Sequence, residues 1–212
     1  PSSVRVQRVE KSMAVSEPIV CFGYKDPNAS SLASPPGQPL MRRIIGMEML
    51  MHTLAGRSSA LYNSLYAEGL IDASFDWDYD CEHDYGFAMF EGRSNSPDRL
   101  VERVAEGIDS FLGAGVDPDE FERTRRRVIG SMLRSFDSLE FIAYNFLTYH
   151  FRNMRLIESV DMARSIGPGE AEAVARELFS PDLLAVSVVT PDSAQPPADA
   201  EYPGDDEPEQ EG

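Results

Sequence analysis

The chain has three histidines, His52, His83 and His150, and two cysteines, Cys21 and Cys81. No histidine has a neighbour at the spacing of a helical metal site, and H-x-x-E-H is absent in either direction. A zinc site takes about three or four protein ligands on rigid elements, so no metal and no cofactor are expected in this chain. The densest run of ligand-type residues, Asp80-Cys81-Glu82-His83-Asp84, reads as a polar hairpin tip. A metal there would need further ligands from elsewhere. Asp72, Asp76, Asp78 and Asp80 recur on alternate positions. Such a face could hold a hard cation, though a solvated face or an edge guarded by charge is the plainer reading. It could also face a partner domain or a basic peptide. Arg123, Arg125, Arg126 and Arg127 cluster on a helix. In an acidic chain they read as an internal salt-bridge or interface patch. Ser58-Ser59 has no His/Asp pair in context and reads as a helix cap, not a nucleophile. No catalytic residue is expected.

The elements that must position these residues follow from periodicity. Val4, Val6 and Val9 form a short extended lead-in. Ile19 to Tyr24 is apolar on both sides, which predicts a central strand with Cys21 as an inert thiol. Asp26 to Pro39 is a loop. Leu40, Ile44, Met47, Met51 and Leu54 make the stripe of a helix ending before Gly56, with Met41, Met47, Met49 and Met51 as core filler. A second helix carries Leu61, Tyr62 and Leu65 up to Gly69. From Ile71 to Tyr79 apolar residues alternate with Asp72, Ser74, Asp76 and Asp78, predicting a strand with one acidic face. A return strand spans Tyr85 to Glu91. Four helices follow: one from Ser96-Pro97, one from Asp117-Pro118, one framed by Asp137 and Glu140, and a short one after Gly169. Leu183 to Thr190 is the last strand. The order predicts an α+β two-layer sandwich, a mainly antiparallel sheet with helices on one face.

Of the 212 residues, 42% are hydrophobic, enough for a real core, and the formal net charge is −17. That balance disfavours nonspecific nucleic-acid binding, since phosphate contacts need cation density. No apolar run suggests a membrane span. The start, Pro1-Ser2-Ser3, reads as cut from a longer protein. Two cysteines without a framework point to a reducing cytoplasm. Residues 1–191 are expected to form one domain. From Asp192 onward the only charges are acidic, amid Pro, Ala and Gly, so 192–212 is expected to be a disordered tail.

The stretch Leu54-Ala-Gly-Arg-Ser-Ser-Ala-Leu-Tyr-Asn-Ser-Leu-Tyr-Ala-Glu-Gly-Leu-Ile-Asp72 resembles the pitrilysin/insulinase zinc peptidases. Those have a Gly-rich turn, Ser-Ser-x-Leu-Phe, and a helix ending in Gly-Leu before a strand. Leu-Tyr-x-Glu-Gly-Leu-Ile-Asp, together with Arg134-Ser-Phe-Asp-Ser-Leu-Glu-Phe-Ile-Ala143, is similar to a bacterial branch. The likeness covers roughly residues 10–191. It implies a metallohydrolase domain like that of mitochondrial processing peptidase, in a family where two homologous halves close as a clamshell. The N-terminal half holds zinc on H-x-x-E-H plus a distant Glu. This chain lacks that motif and resembles the inactive C-terminal half, a non-catalytic chamber wall that helps bind peptide. The implied partners are a zinc-bearing N-terminal half and a peptide substrate, with a homodimer also open. Many relatives place an Arg and a Tyr of this half near the substrate carbonyl. Tyr66 and Asp72 fall at those positions, a departure that puts direct assistance by this half in doubt. Two alternatives stay open: a purely structural assembly subunit, and an independent metal-using enzyme at the Asp-rich strand.

Deleting the residues after Pro191 is expected to leave the thermal midpoint nearly unchanged. A large drop in a melting experiment would show that the tail packs on the domain.

Overall fold

The computed structural model describes residues 3–29, 37–82 and 84–192. His83 and residues 193–212, with the expected tail, lie outside them. Five strands, β1 (Arg8–Met13), β2 (Ile19–Lys25), β3 (Asp76–Cys81), β4 (Gly86–Arg93) and β5 (Leu184–Pro191), form one sheet in the order β1-β5-β2-β4-β3. Only β1 and β5 run parallel; β5-β2, β2-β4 and β4-β3 are antiparallel. β2 is the central strand, as its composition predicted. Among the described residues seven α-helices accompany the sheet: α1 (Gly37–Ala55), α2 (Ala60–Ala67), α3 (Pro97–Ala114), α4 (Pro118–Ser135), α5 (Leu139–Phe151), α6 (Ser159–Ser165) and α7 (Pro168–Leu178). The architecture is the expected α+β sandwich. Val20, Phe22, Tyr24, Tyr79, Cys81, Ala88, Phe90 and Val188 point to the buried side. An aromatic column joins them: Phe22 stacks on Phe90 at 5.3 Å, and Phe179 meets Tyr24 edge-on at 5.1 Å.

α1 is the axis of the helical layer. It packs on β3 and on α2, α4, α6 and α7. Twelve of its 19 residues are buried, including Met41, Met47, Met49 and Met51. The sequence showed one stripe, but burial runs nearly all round, because this helix lies between sheet and outer helices. Unbranched methionines fill such irregular surroundings well.

Several boundaries differ from expectation. The strand predicted from Ile71 begins only at Asp76. Asp72 bends the chain first: its Oδ1 accepts from the Ser74 amide at 2.8 Å and from the Ser74 hydroxyl. A local side-chain turn of this kind competes with the ladder. Ser74 Oγ in turn accepts from the Arg93 amide at 3.1 Å, replacing the strand bond. Ile71 and Phe75 are still buried, while Ala73 is exposed. Five helices, not four, follow β4. α6 is only seven residues long and continues from a 3-10 turn, Leu156–Glu158, which hides its periodicity. Ser138 rather than Asp137 caps α5. Gly169 lies inside α7, because Pro168 takes the first helical position. Ser59 caps α2 by accepting from the Tyr62 amide at 3.0 Å. Cys21 is only half-buried and on the helix-free side of the sheet, yet burial, and then the nearby Glu91, push its thiol up.

One polar network crosses the core. The Arg43 guanidinium on α1 donates to both carboxylate oxygens of Asp26, each at 2.7 Å, and Tyr79 on β3 donates to Asp26 Oδ2 at 2.6 Å. The Asn28 amide donates to Asp26 Oδ1 at 2.9 Å. The Asp26 amide donates to the Gly86 carbonyl at 2.7 Å. A Cβ at Gly86 would come within 3.0 Å of Asp26 Cβ and 3.2 Å of Cys81 Sγ, so this crossing needs glycine. Burial alone would raise the Asp26 carboxyl, but the bonds from Arg43 and Tyr79 outweigh it and leave the pKa below the usual range.

Replacing Asp26 with Asn should cost about 3–5 kcal/mol, since it leaves a buried guanidinium uncompensated. Urea unfolding measures it, and Asp26→Leu with Arg43→Met should cost less than the single change. Because the folded pKa is depressed, this stabilisation is present above the unfolded Asp pKa and is lost as pH falls through the folded value. The acid limb of the stability curve should therefore flatten in Asp26→Asn.

Candidate functional site

α2 and the turn after it carry the two residues that the family resemblance singled out. Gly69 ends the helix with φ of 68°, and the Leu70 amide returns to the Leu65 carbonyl at 3.0 Å. Tyr66 sits on the last turn and is 60% exposed, its ring stacked 6.4 Å from Tyr62. Tyr62 leans on Phe75 at 6.1 Å. Tyr66 is thus a surface tyrosine, not a core one, and its hydroxyl is available to a ligand. Asp72 is exposed, but its Oδ1 is committed to Ser74, which holds the carboxyl below its ordinary value. The two residues flank one connector without touching each other, Asp72 as a turn-former and Tyr66 as a free rim group. Glu68 beside them is gripped by Arg103, Nη2 to Oε1 at 2.6 Å and Nε to Oε2 at 3.0 Å.

β3 displays the acidic residues. Its register sets Asp76, Asp78 and Asp80 against Glu91, Met89 and Phe87, and Trp77 and Tyr79 against Phe90 and Ala88. The carboxylates therefore share the helix-free face of the sheet, on an edge strand. That is where charge discourages unwanted strand pairing.

Behind this edge lies a group that sequence reasoning missed. Glu48 and His52 stand four apart on α1 and share a face. The His52 ring meets Trp77 edge-on at 4.6 Å. Burial, then the charge of Arg127, lowers His52 to about 4, with Asp76 opposing. Burial raises Glu48, against Arg127 and reinforced by Asp78. Tyr149 on α5 is raised by burial and by Glu48. The signal in the sequence is the Glu-x-x-x-His spacing of Glu48 and His52, which a pattern of paired histidines does not contain. Near neutral pH this assembly presents a neutral imidazole beside a half-buried carboxyl group. It can exchange hydrogen bonds with a ligand. It offers two candidate ligands, short of a zinc site. Among the described residues no three His, Cys, Asp or Glu side chains are placed to hold a metal ion.

The arginine cluster divides. Arg125 and Arg126 both pair with Glu122, the latter at 3.1 Å, and Arg125 also donates to the Ile166 carbonyl at 2.6 Å. The bond to Ile166 fastens α4 to the end of α6, while the pairs with Glu122 lie within α4, as an internal salt-bridge patch should. Arg127 instead projects its charge toward Glu48 and His52.

His52 should titrate near pH 4 by NMR, well below free histidine. Its depressed folded pKa means that the unfolded chain takes up the proton first. Stability is therefore full above the unfolded value of about 6.5 and falls as pH drops toward the folded one. Glu48 has the opposite sign, its contribution fading as pH rises through its raised pKa. His52→Gln should blunt the loss of thermal midpoint on acidification from neutral pH; an unchanged pH profile would contradict the assignment.

No family model matches the chain. It is 34% identical over 187 residues to YmfH of Bacillus subtilis, an uncharacterised zinc protease, covering 87% of this chain and 42% of that protein. A candidate M16-like peptidase from Alicyclobacillus acidocaldarius superposes with a TM-score of 0.83 and 28% identity, covering 91% of this chain and 45% of that one. The inactive peptidase domain of a candidate zinc protease from Bordetella parapertussis has a TM-score of 0.70 at 16% identity, covering 89% of this chain and 98% of that one. The chain thus spans less than half the length of the first two. Its motif order and its fold converge with these likenesses: over about nine-tenths of its length the chain is similar to pitrilysin/insulinase-type, M16-like zinc peptidases.

Proposed function

We propose that this domain is the non-catalytic half of a zinc peptidase, forming the wall of a substrate chamber opposite an N-terminal half that bears the zinc. The observation that carries the reading is the mismatch of lengths. Relatives match 87% and 91% of this chain, while the chain accounts for only 42% and 45% of them. More than half of each relative is something else, and this chain has no H-x-x-E-H. The zinc in the partner half would lower the pKa of bound water and polarise the scissile carbonyl.

This chain's own contribution is binding and shielding. Tyr66, with an exposed hydroxyl, offers a hydrogen bond to a peptide carbonyl, and Asp72 fixes the turn beside it. Asp76, Asp78 and Asp80 bias the wall toward basic peptides. The Glu48–His52 pair behind them supplies a neutral imidazole and a half-buried carboxyl group where water is partly excluded. Among the described residues no helix is long and apolar enough to cross a membrane, and the assembly is assigned to the cytoplasm on the cysteine usage alone.

The test is an assay of this chain, the zinc-bearing half and their mixture on an unstructured peptide library. Cleavage in the mixture alone, abolished by chelator, is the expected result. Tyr66→Phe should lower the mixture's turnover severalfold with little change in thermal midpoint. Chelator-sensitive cleavage by this chain alone would refute the reading. Binding of the halves without cleavage would favour an assembly subunit.

A further inference from the structure

α5 is out of keeping with the rest of the helical layer. Its sequence, LEFIAYNFLTYHF, carries one formal charge, Glu140, and it is apolar on every side, yet none of its residues is fully buried. Leu139 is 84% exposed, Tyr144 71%, Leu147 55% and Phe151 83%. These form the side turned away from the domain. Ile142, Phe146 and His150 line a cavity of about 670 Å3 together with Met154 and Leu156, with Arg155 the one charged side chain on its wall. Only a third side is fastened to the domain, through Tyr149 in the core margin and the Arg152–Glu82 ion pair. A helix apolar all round belongs in an interior. Apolar patches of this extent on a soluble domain mark an interaction surface.

We infer that the outer side of α5 and the cavity beside it are the seat of the zinc-bearing half, docked through apolar side chains. The inference rests on the two-half reading above and says where the halves meet. The reason to choose that occupant is again length: where relatives match this domain almost entire, more than half of their chain lies outside it. A second unit is therefore a constant neighbour. The near absence of charge on α5 suits a permanent neighbour, since little has to be desolvated when the surface closes. The contrast with the acidic β3 edge sharpens this. An extended basic peptide would favour the carboxylates of β3, whereas α5 offers it a single carboxylate, Glu140 in the first turn.

The experiment compares binding of the separately expressed H-x-x-E-H domain, from the same gene or its neighbour, to three versions of this chain by titration calorimetry. They are the wild type, Leu147→Asp with Phe151→Asp, and Val9→Asp on the far edge of the sheet. Exposed apolar anchors dominate such interfaces, so the double variant should bind about tenfold or more weakly. Val9→Asp should bind as the wild type does. Thermal midpoints check folding, and Leu147→Gln with Phe151→Ser serves if the aspartates disturb it. Unchanged binding by the α5 variant would overturn the inference and leave the two-half reading intact. No binding by the wild type would sink both. A self-dimer of the wild type, lost in the α5 variant on sedimentation, would assign the surface to a second copy and also overturn it.

Discussion

The fork between Arg43 and Asp26 is the constraint on which the rest of the fold depends. The Asp26 side chain is wholly buried and that of Arg43 is 10% exposed. Two charges so far from water are costly unless every lone pair and proton is matched. Here they are matched by groups from four separate elements: the end of β2, the first half of α1, β3 through Tyr79, and β4 through the Gly86 carbonyl. A one-residue slip of β3 would turn Tyr79 to the other face and leave Asp26 short of a donor. The network therefore fixes register, which a purely apolar contact would tolerate losing.

With α1 pinned at Arg43, the rest of that helix is aimed. Its methionines meet the sheet and the outer helices, and Glu48 and His52 come to lie behind the β3 edge, against Trp77 and within reach of Arg127. The same helix thus serves as core and as the back of a polar recess. The chemistry of that recess follows from burial more than from any partner charge. Desolvation is the largest influence on both groups and pushes each toward its neutral form.

Much of this was legible in the sequence. Period-two alternation located the core face of β3, and capping chemistry located α2 and α4, because those signals are local. What escaped was non-local or disguised. The Asp26–Arg43 pair joins a loop start to a helix, with Tyr79 far along the chain, and no spacing rule connects them. The turn at Asp72 was masked by an alternation that ran straight through it; one side-chain hydrogen bond to Ser74 decided the boundary. α6 was too short to show a period. Cys21 read as buried because β2 is apolar on both faces, although only one face is covered by helices. Tyr66 and Asp72 were reached through family resemblance, and the geometry gives them different standing: an exposed hydroxyl and a carboxylate already engaged.

Charge and apolarity are also segregated on the surface. The acidic residues of β3 occupy one edge of the sheet, while α5, with Glu140 as its one formal charge, projects from the other layer. The Arg152–Glu82 ion pair bridges the two regions. An acidic chain that exposed α5 to bulk water would present an adhesive surface despite its net repulsion, because that repulsion is screened beyond about 10 Å at moderate salt whereas apolar contact acts at the surface itself. Charge alone therefore does not keep such a helix solitary. What would keep such a helix soluble is cover, and a cover over α5 would leave the carboxylates of β3, in the other layer, open to solvent.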